Sequence, residues 1–341
     1  MKKKKLKLKK AVRNRLIIII IIFVGVIFGI NKYKEYKYKQ TNEYKLTEVG
    51  YSLEDSKFII SKLNDKNEKY FVDNKKNEFI ISLLKEKYFL EKNLYEYLEY
   101  KSDNKKKSYK DVVAIVNVGA NHDWYDNKTI QDADLSKANL MLVNKFYKLD
   151  NTYEPDNITK ISLSYSYSGQ SVSKETNEAF LDMAVQAKEE GIQLLANSTY
   201  RTYERQDEIY KEFYYSKGIS YADSYAARAG HSEHQTGLAL DIFTTGTSTV
   251  ENFEESDAYK WLINNAHNYG FILRYPKGKE YLTGYNYESW HYRYLGKETA
   301  KKVYESGLTY DEYYAFYIEK WYKEICVLST KKGWQHIIVL L

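Results

Sequence analysis

The run LIIIIIIFVGVIFGI, Leu16 to Ile30, holds no polar side chain, and it limits what the rest of the chain can be. Such a run is buried either in a protein core or in a bilayer. Ahead of it stands MKKKKLKLKKAVRNR, with nine Lys or Arg and no acid; a core helix would have to sit beside those uncompensated charges. The run is shorter than the ~20 residues that usually span a bilayer, but Arg15 and Lys32 at its flanks snorkel and extend its reach. A cleaved leader would close on small residues in an A-x-A-like pattern, whereas this run closes on FGINKYKEYKYK. Residues 16–31 therefore read as an uncleaved transmembrane signal anchor. The positive-inside rule keeps residues 1–15 in the cytoplasm and sends the remainder outside the cell.

Charge points the same way. The formal net charge is +6, less than the positive charge of the first fifteen residues alone, so everything after them is net negative. A basic groove for nucleic acid is not expected. Cys326 is the single cysteine; no intrachain disulfide can form, and no lipid-anchoring cysteine follows the apolar run.

Residues 32–110 are rich in Lys, Tyr and Asn and read as a stalk with a small helical module, one helix carrying Phe79, Ile80, Leu83 and Leu84 and another beginning after Asn93. KSDNKKKS, Lys101 to Ser108, reads as a linker, and DVVAIVNVG as a strand or buried segment opening a connection over 111–139. Residues 140–322 carry the strongest patterning. A helix with Thr176 as N-cap ends at Gly191, the strand IQLLANS follows, then a helix ending at Gly218, the strand LALDIFT, a helix from a Ser256 cap to Gly270, the strands FILRY and WHYRYLG, and two last helices. Without the long regular crossovers of a doubly wound sheet, this order predicts an α+β domain with a small, largely antiparallel sheet flanked by helices. Residues 323–341 read as a tail.

The stretch HSEHQTGLALD, residues 231–241, crowds two histidines and two acids around a glycine. His234 and Asp241 are seven apart and would face opposite ways on a continuous strand; a turn at Gly237 lets them converge. A catalytic zinc site needs a third ligand and an open position. His291 in ESWHYRYLG supplies the ligand, and Glu288, three residues earlier, supplies a base that takes a proton from acidified water. Arg201 in STYRTYERQ, with Gln206 in the helix that follows, offers a guanidinium suited either to a carboxylate or to a developing oxyanion.

Taken together and in order, STYRTYERQ, SEHQTGLALD and ESWHYRYLG resemble the signature blocks of the VanY-type D-alanyl-D-alanine carboxypeptidases, zinc peptidases related to the D-Ala-D-Ala dipeptidases. The pattern S-x-H-x-x-G-x-A-x-D is met by Ser232, His234, Gly237, Ala239 and Asp241, and E-x-W-H by Glu288, Trp290 and His291. The likeness covers roughly 140–320, with LMLVNKFYKL, Tyr153 and Pro155 similar to the start of the family's domain. It implies one zinc ion on His234, Asp241 and His291, Glu288 as general base, and Arg201, Gln206 and Ser232 around the substrate's terminal carboxylate or neighbouring groups. The implied activity is removal of the terminal D-Ala from peptidoglycan stem peptides; the alternatives are another stem bond, free D-Ala-D-Ala, or a wall-binding module without turnover. His231 is expected to be dispensable for the metal. His122, His267 and His336 have no partners at ligand spacing.

Overall fold

A computed structural model describes residues 10–167, 169–245 and 253–319. Cys326, His336 and the tail 323–341 lie outside the described residues. The chain divides into two compact units, Met1–Ser102 and Asp103–Leu341, with the division inside the Lys101–Ser108 stretch read as a linker.

The first unit opens with helix α1, Lys10–Lys39, long and apolar enough to cross a membrane, with a mean hydropathy of 2.5. It outruns the apolar stretch because its polar continuation is itself helix-forming and is pinned by Glu35, which pairs with Lys32 and Lys39 at 3.1 Å each. Short helices follow at Asn42–Val49, Leu53–Lys62, Asp65–Asp73, Ile80–Leu84 and Leu94–Asp103. Thr41, Ser52 and Asn64 cap the first three by accepting the backbone N–H of Tyr44, Asp55 and Asn67, satisfying donors that each helix start leaves open. Leu46, Ile59, Phe71, Ile80, Leu83 and Leu94 are fully buried.

In the second unit DVVAIVNVG is a helix, not a strand: α2, Tyr109–Asn117, is capped by Ser108, and Val112 through Val116 are all buried. A short run apolar on every side carries no period that separates helix from strand. Helix α3, Lys174–Glu189, starts before the expected Thr176 cap, because Ser173 accepts the Thr176 N–H. Its Phe180, Met183 and Ala184 pack on one face of a four-stranded antiparallel sheet. The strands are β1 (Leu195–Ser198), β2 (Ala239–Phe243), β3 (Phe271–Leu273) and β4 (His291–Tyr294), in the order β1-β2-β4-β3. Between β1 and β2 the chain forms α4 (Tyr203–Lys217) and α5 (Ile219–Tyr225), and after β2 helix α6, Asp257–Asn265, covers the same face as α3.

Alternation along the two central strands sets up the site. Leu240, Ile242 and Tyr292 point into the apolar core, while Asp241, His291 and Arg293 take the other face. Register makes Asp241 and His291 direct cross-strand partners, which brings their Cβ atoms to about 5 Å. On the opposite edge a bulge between Ala196 and Ser198 sets Ser198 across from Asp241.

Candidate active site

Two ligand-type residues come from paired strands and one from a turn. Glu233–Thr236 forms a single 3-10 turn that Ser232 opens by accepting the His234 N–H, and Gly237 closes it in the left-handed region at φ 69°. A Cβ there would lie 2.8 Å from Ile158 Cδ1 and 3.1 Å from the Ser173 nitrogen, so this turn needs glycine on two counts. The turn carries His234 back over Asp241, whose Oδ1 stands 3.5 Å from His234 Nε2 and 3.3 Å from His291 Nδ1. The imidazoles meet edge to face at 4.9 Å, and donor atoms of the three residues all lie within 4.8 Å of one another.

These separations suit a metal. Donors at ~2.1 Å around a tetrahedral zinc sit about 3.4 Å apart. Asp241 Oδ1 is buried with no hydrogen-bond partner, a costly state unless something positive fills the space it faces. His234 Nδ1 lies 2.8 Å from the Thr199 carbonyl; a carbonyl only accepts, so that nitrogen carries the proton and Nε2 keeps its lone pair toward Asp241. Burial, helped by Arg201, depresses the His234 pKa to about 4, which favours the neutral, ligating form.

Glu288 leaves the loop before β4 with Oε2 3.4 Å from His291 Nδ1. Burial raises its carboxyl to about 7 against the opposing pull of His291 and Arg201. Arg201 is held in place: Nη1 donates to Gln206 Oε1 at 2.8 Å, Nη2 to Ser198 Oγ at 2.9 Å, and Nη2 also lies 3.5 Å from Asp241 Oδ2. Gln206 in turn donates to the Ala227 carbonyl at 2.7 Å, so it braces the arginine. All seven residues singled out in the sequence, Ser232 included, line one cleft of about 210 Å³.

His231 is elsewhere. Its Nδ1 lies 2.8 Å from the Asn144 carbonyl and its ring stands edge-on to Tyr125. Among the other histidines, His267 stacks on Tyr304 at 3.7 Å.

Sequence reasoning passed over three parts of the site. Ser198, which fixes Arg201, looks like any strand-end serine. Tyr275 packs its ring tilted against His291, centroids 4.9 Å apart, from a segment with no motif. Glu233 stands inside SEHQTG but reads as a turn residue, and the arginines it meets, Arg274 and Arg293, are 41 and 60 residues away. Burial alone would raise the Glu233 carboxyl; these two guanidiniums hold it well below the usual carboxylate range.

Residues 169–297 match a family model described as VanY: D-alanyl-D-alanine carboxypeptidase. The Bacillus subtilis (strain 168) protein YodJ is 42% identical over 185 residues, covering 51% of this chain and 66% of YodJ, slightly under two thirds of that relative. A D-alanyl-D-alanine carboxypeptidase of Enterococcus faecalis (strain ATCC 700802 / V583) is 34% identical over 192 residues, covering 54% of this chain and 68% of the relative. Among solved structures, the LdcB LD-carboxypeptidase is 38% identical, covers 57% of this chain and 94% of its own, and superposes with a TM-score of 0.53.

Proposed function

The chain belongs to the VanY family of D-alanyl-D-alanine carboxypeptidases, and from that premise we propose that it is a membrane-anchored zinc enzyme acting outside the cell, where it removes the terminal D-Ala of peptidoglycan stem peptides. The observation that carries the reading is the single cleft in which a His-Asp-His set, a carboxylate of raised pKa and a braced arginine converge. In this reading His234, Asp241 and His291 hold one zinc ion. When bound, zinc supplies Lewis acidity, making water more acidic and a carbonyl more electrophilic.

The chain's own residues do the rest. Glu288, deprotonated at the start, accepts a proton from the attacking water and returns it to the nitrogen of the departing D-alanine; a pKa near the working pH serves both transfers. Arg201 presents a fixed cation for the peptide's terminal carboxylate and for negative charge that develops on the scissile carbonyl oxygen. Ser198 and Gln206 keep it from reorganising, and Ser232 stands on the cleft wall beside it. No serine is acylated in this chemistry, so β-lactams do not trap the enzyme covalently.

The test is to incubate the full-length protein in detergent with zinc and a muramyl pentapeptide ending in D-Ala-D-Ala, with mass spectrometry of the products. Loss of one alanine is expected, abolished by EDTA and restored by zinc, and Glu288→Ala should fall by about 10²–10⁴-fold while keeping its metal. A folded, zinc-loaded protein that leaves the pentapeptide intact would overturn the reading. The likeness to LdcB favours one second reading, cleavage of an LD bond in a tetrapeptide stem, and the same assay on the tetrapeptide separates the two.

A further inference from the structure

Each imidazole of the proposed metal set has a second nitrogen, and what that nitrogen meets decides which one is free to ligate. For His234 the acceptor is the Thr199 carbonyl. For His291 it is Glu233: Nε2 lies 3.5 Å from Glu233 Oε2, and both atoms are buried with no hydrogen-bond partner. A closure of a few tenths of an ångström satisfies both at once.

Glu233 is built to stay where it is. Its other oxygen, Oε1, accepts Arg274 Nε at 2.7 Å and Arg293 Nη1 at 2.8 Å, and glutamate and arginines are all fully buried. Arg274 is gripped from behind by Asp311, one of whose two contacts spans 3.1 Å. Arg293 donates to the Asn139 and Met141 carbonyls at 3.0 and 2.7 Å. Between two guanidiniums Glu233 is a carboxylate, and a carboxylate only accepts. Nε2 must then be the donor, which leaves the His291 lone pair on Nδ1, the nitrogen facing Asp241 Oδ1 at 3.3 Å.

We infer that Glu233 is a positioning residue of this metal centre: anchored by Arg274 and Arg293, it takes the Nε2 proton of His291 and fixes the ring so that Nδ1 faces the ion. The inference rests on the metal-site reading of the cleft. A purely structural role, neutralising two buried arginines, is the competing account. Asp311 tells them apart, since it balances the same cluster and has no contact with His291.

The experiment measures zinc dissociation constants of the full-length protein in detergent, by competition with a chromophoric chelator, for wild type, Glu233→Gln and Asp311→Asn, with circular dichroism confirming each fold. Glu233→Gln is expected to weaken zinc by about 10–100-fold, the usual effect of losing a partner behind a ligating imidazole, and Asp311→Asn by no more than about threefold. Equal zinc affinities in the two variants would overturn the inference. Because Glu233→Gln leaves two buried arginines short of a carboxylate, a second readout uses wild type alone: nitrogen-15 NMR of the zinc-loaded protein should find the His291 proton on Nε2 and slow to exchange with solvent. A proton on Nδ1, or one on Nε2 that exchanges at the solvent rate, would overturn it even where the variant does not fold. A folded wild type that binds no zinc refutes the metal-site reading itself, a different failure from equal affinities in the variants.

Discussion

His231 and His234 stand three residues apart with opposite tasks, and the difference is read from what surrounds each ring. His234 reaches the ligand cluster, whereas His231 is 6% exposed and spends Nδ1 on the Asn144 carbonyl. Burial, helped by Arg228, Lys148 and Lys145, depresses the His231 pKa from 6.5 to about 4. The folded chain therefore keeps this ring neutral where the unfolded chain protonates it. Between 6.5 and about 4 the unfolded state binds the extra proton, so stability is intact above that window and is lost as pH falls through it. The loss is about 1.4 kcal/mol per pH unit, near 3 kcal/mol in all. His234 and Glu288 titrate across the same window in metal-free protein, so the test compares urea unfolding of wild type and His231→Asn. The variant's stability should fall with pH less steeply by about 1.4 kcal/mol per pH unit, and equal slopes would mean the ring is already charged in the fold. At this scale the convergence of His234, Asp241, His291, Glu288 and Arg201 on one cleft was legible because each stands in a recognisable block of the sequence. Glu233 and Tyr275 were not, since the groups they meet come from other strands, and Ser198 was not, since nothing marks a strand-end serine as the acceptor for an arginine three residues on.

At the scale of elements, the turn before β2 decides whether the histidine and the aspartate can meet. Gly237 was legible from spacing alone, because no straight strand puts residues seven apart on one side. What spacing left out is how closely the turn is packed by Ile158 and Ser173. Gly237→Ala should lose more than about 1 kcal/mol of stability through positive φ and the close Cβ contact together, and it should weaken zinc binding because the turn that carries His234 shifts. A variant as stable as wild type with unchanged zinc affinity would show that the turn relaxes freely. Other elements escaped for a plain reason. Residues 112–116 are an unbroken apolar run, too short to show whether its period is that of a helix or a strand, and Ser173 was hidden as a cap because Thr176, inside the first turn, is also a capping residue type.

Across the whole molecule, the segment that most limits the chain in sequence contributes nothing to the cleft. Every residue lining it belongs to the unit after Asp103, while α1 is exposed along its apolar length, from 42% at Ile27 to 64% at Phe28. An exposed helix of that composition is untenable in water; burying its Ile, Val, Phe and Leu side chains in lipid stabilises by on the order of 20 kcal/mol at about 1.5 kcal/mol each. In the proposed reading one helix fixes where the enzyme stays and one unit fixes what it does. Removing residues 1–31 should move the protein from the membrane to the aqueous fraction and leave kcat/KM for a soluble stem peptide within about twofold, since no group touching the substrate or metal is lost. If the shortened protein keeps its circular dichroism spectrum but loses more than about tenfold in kcat/KM, the residues before 32 would have a part in catalysis. If turnover holds while the protein still sediments with membranes, a second membrane-binding surface lies after residue 32.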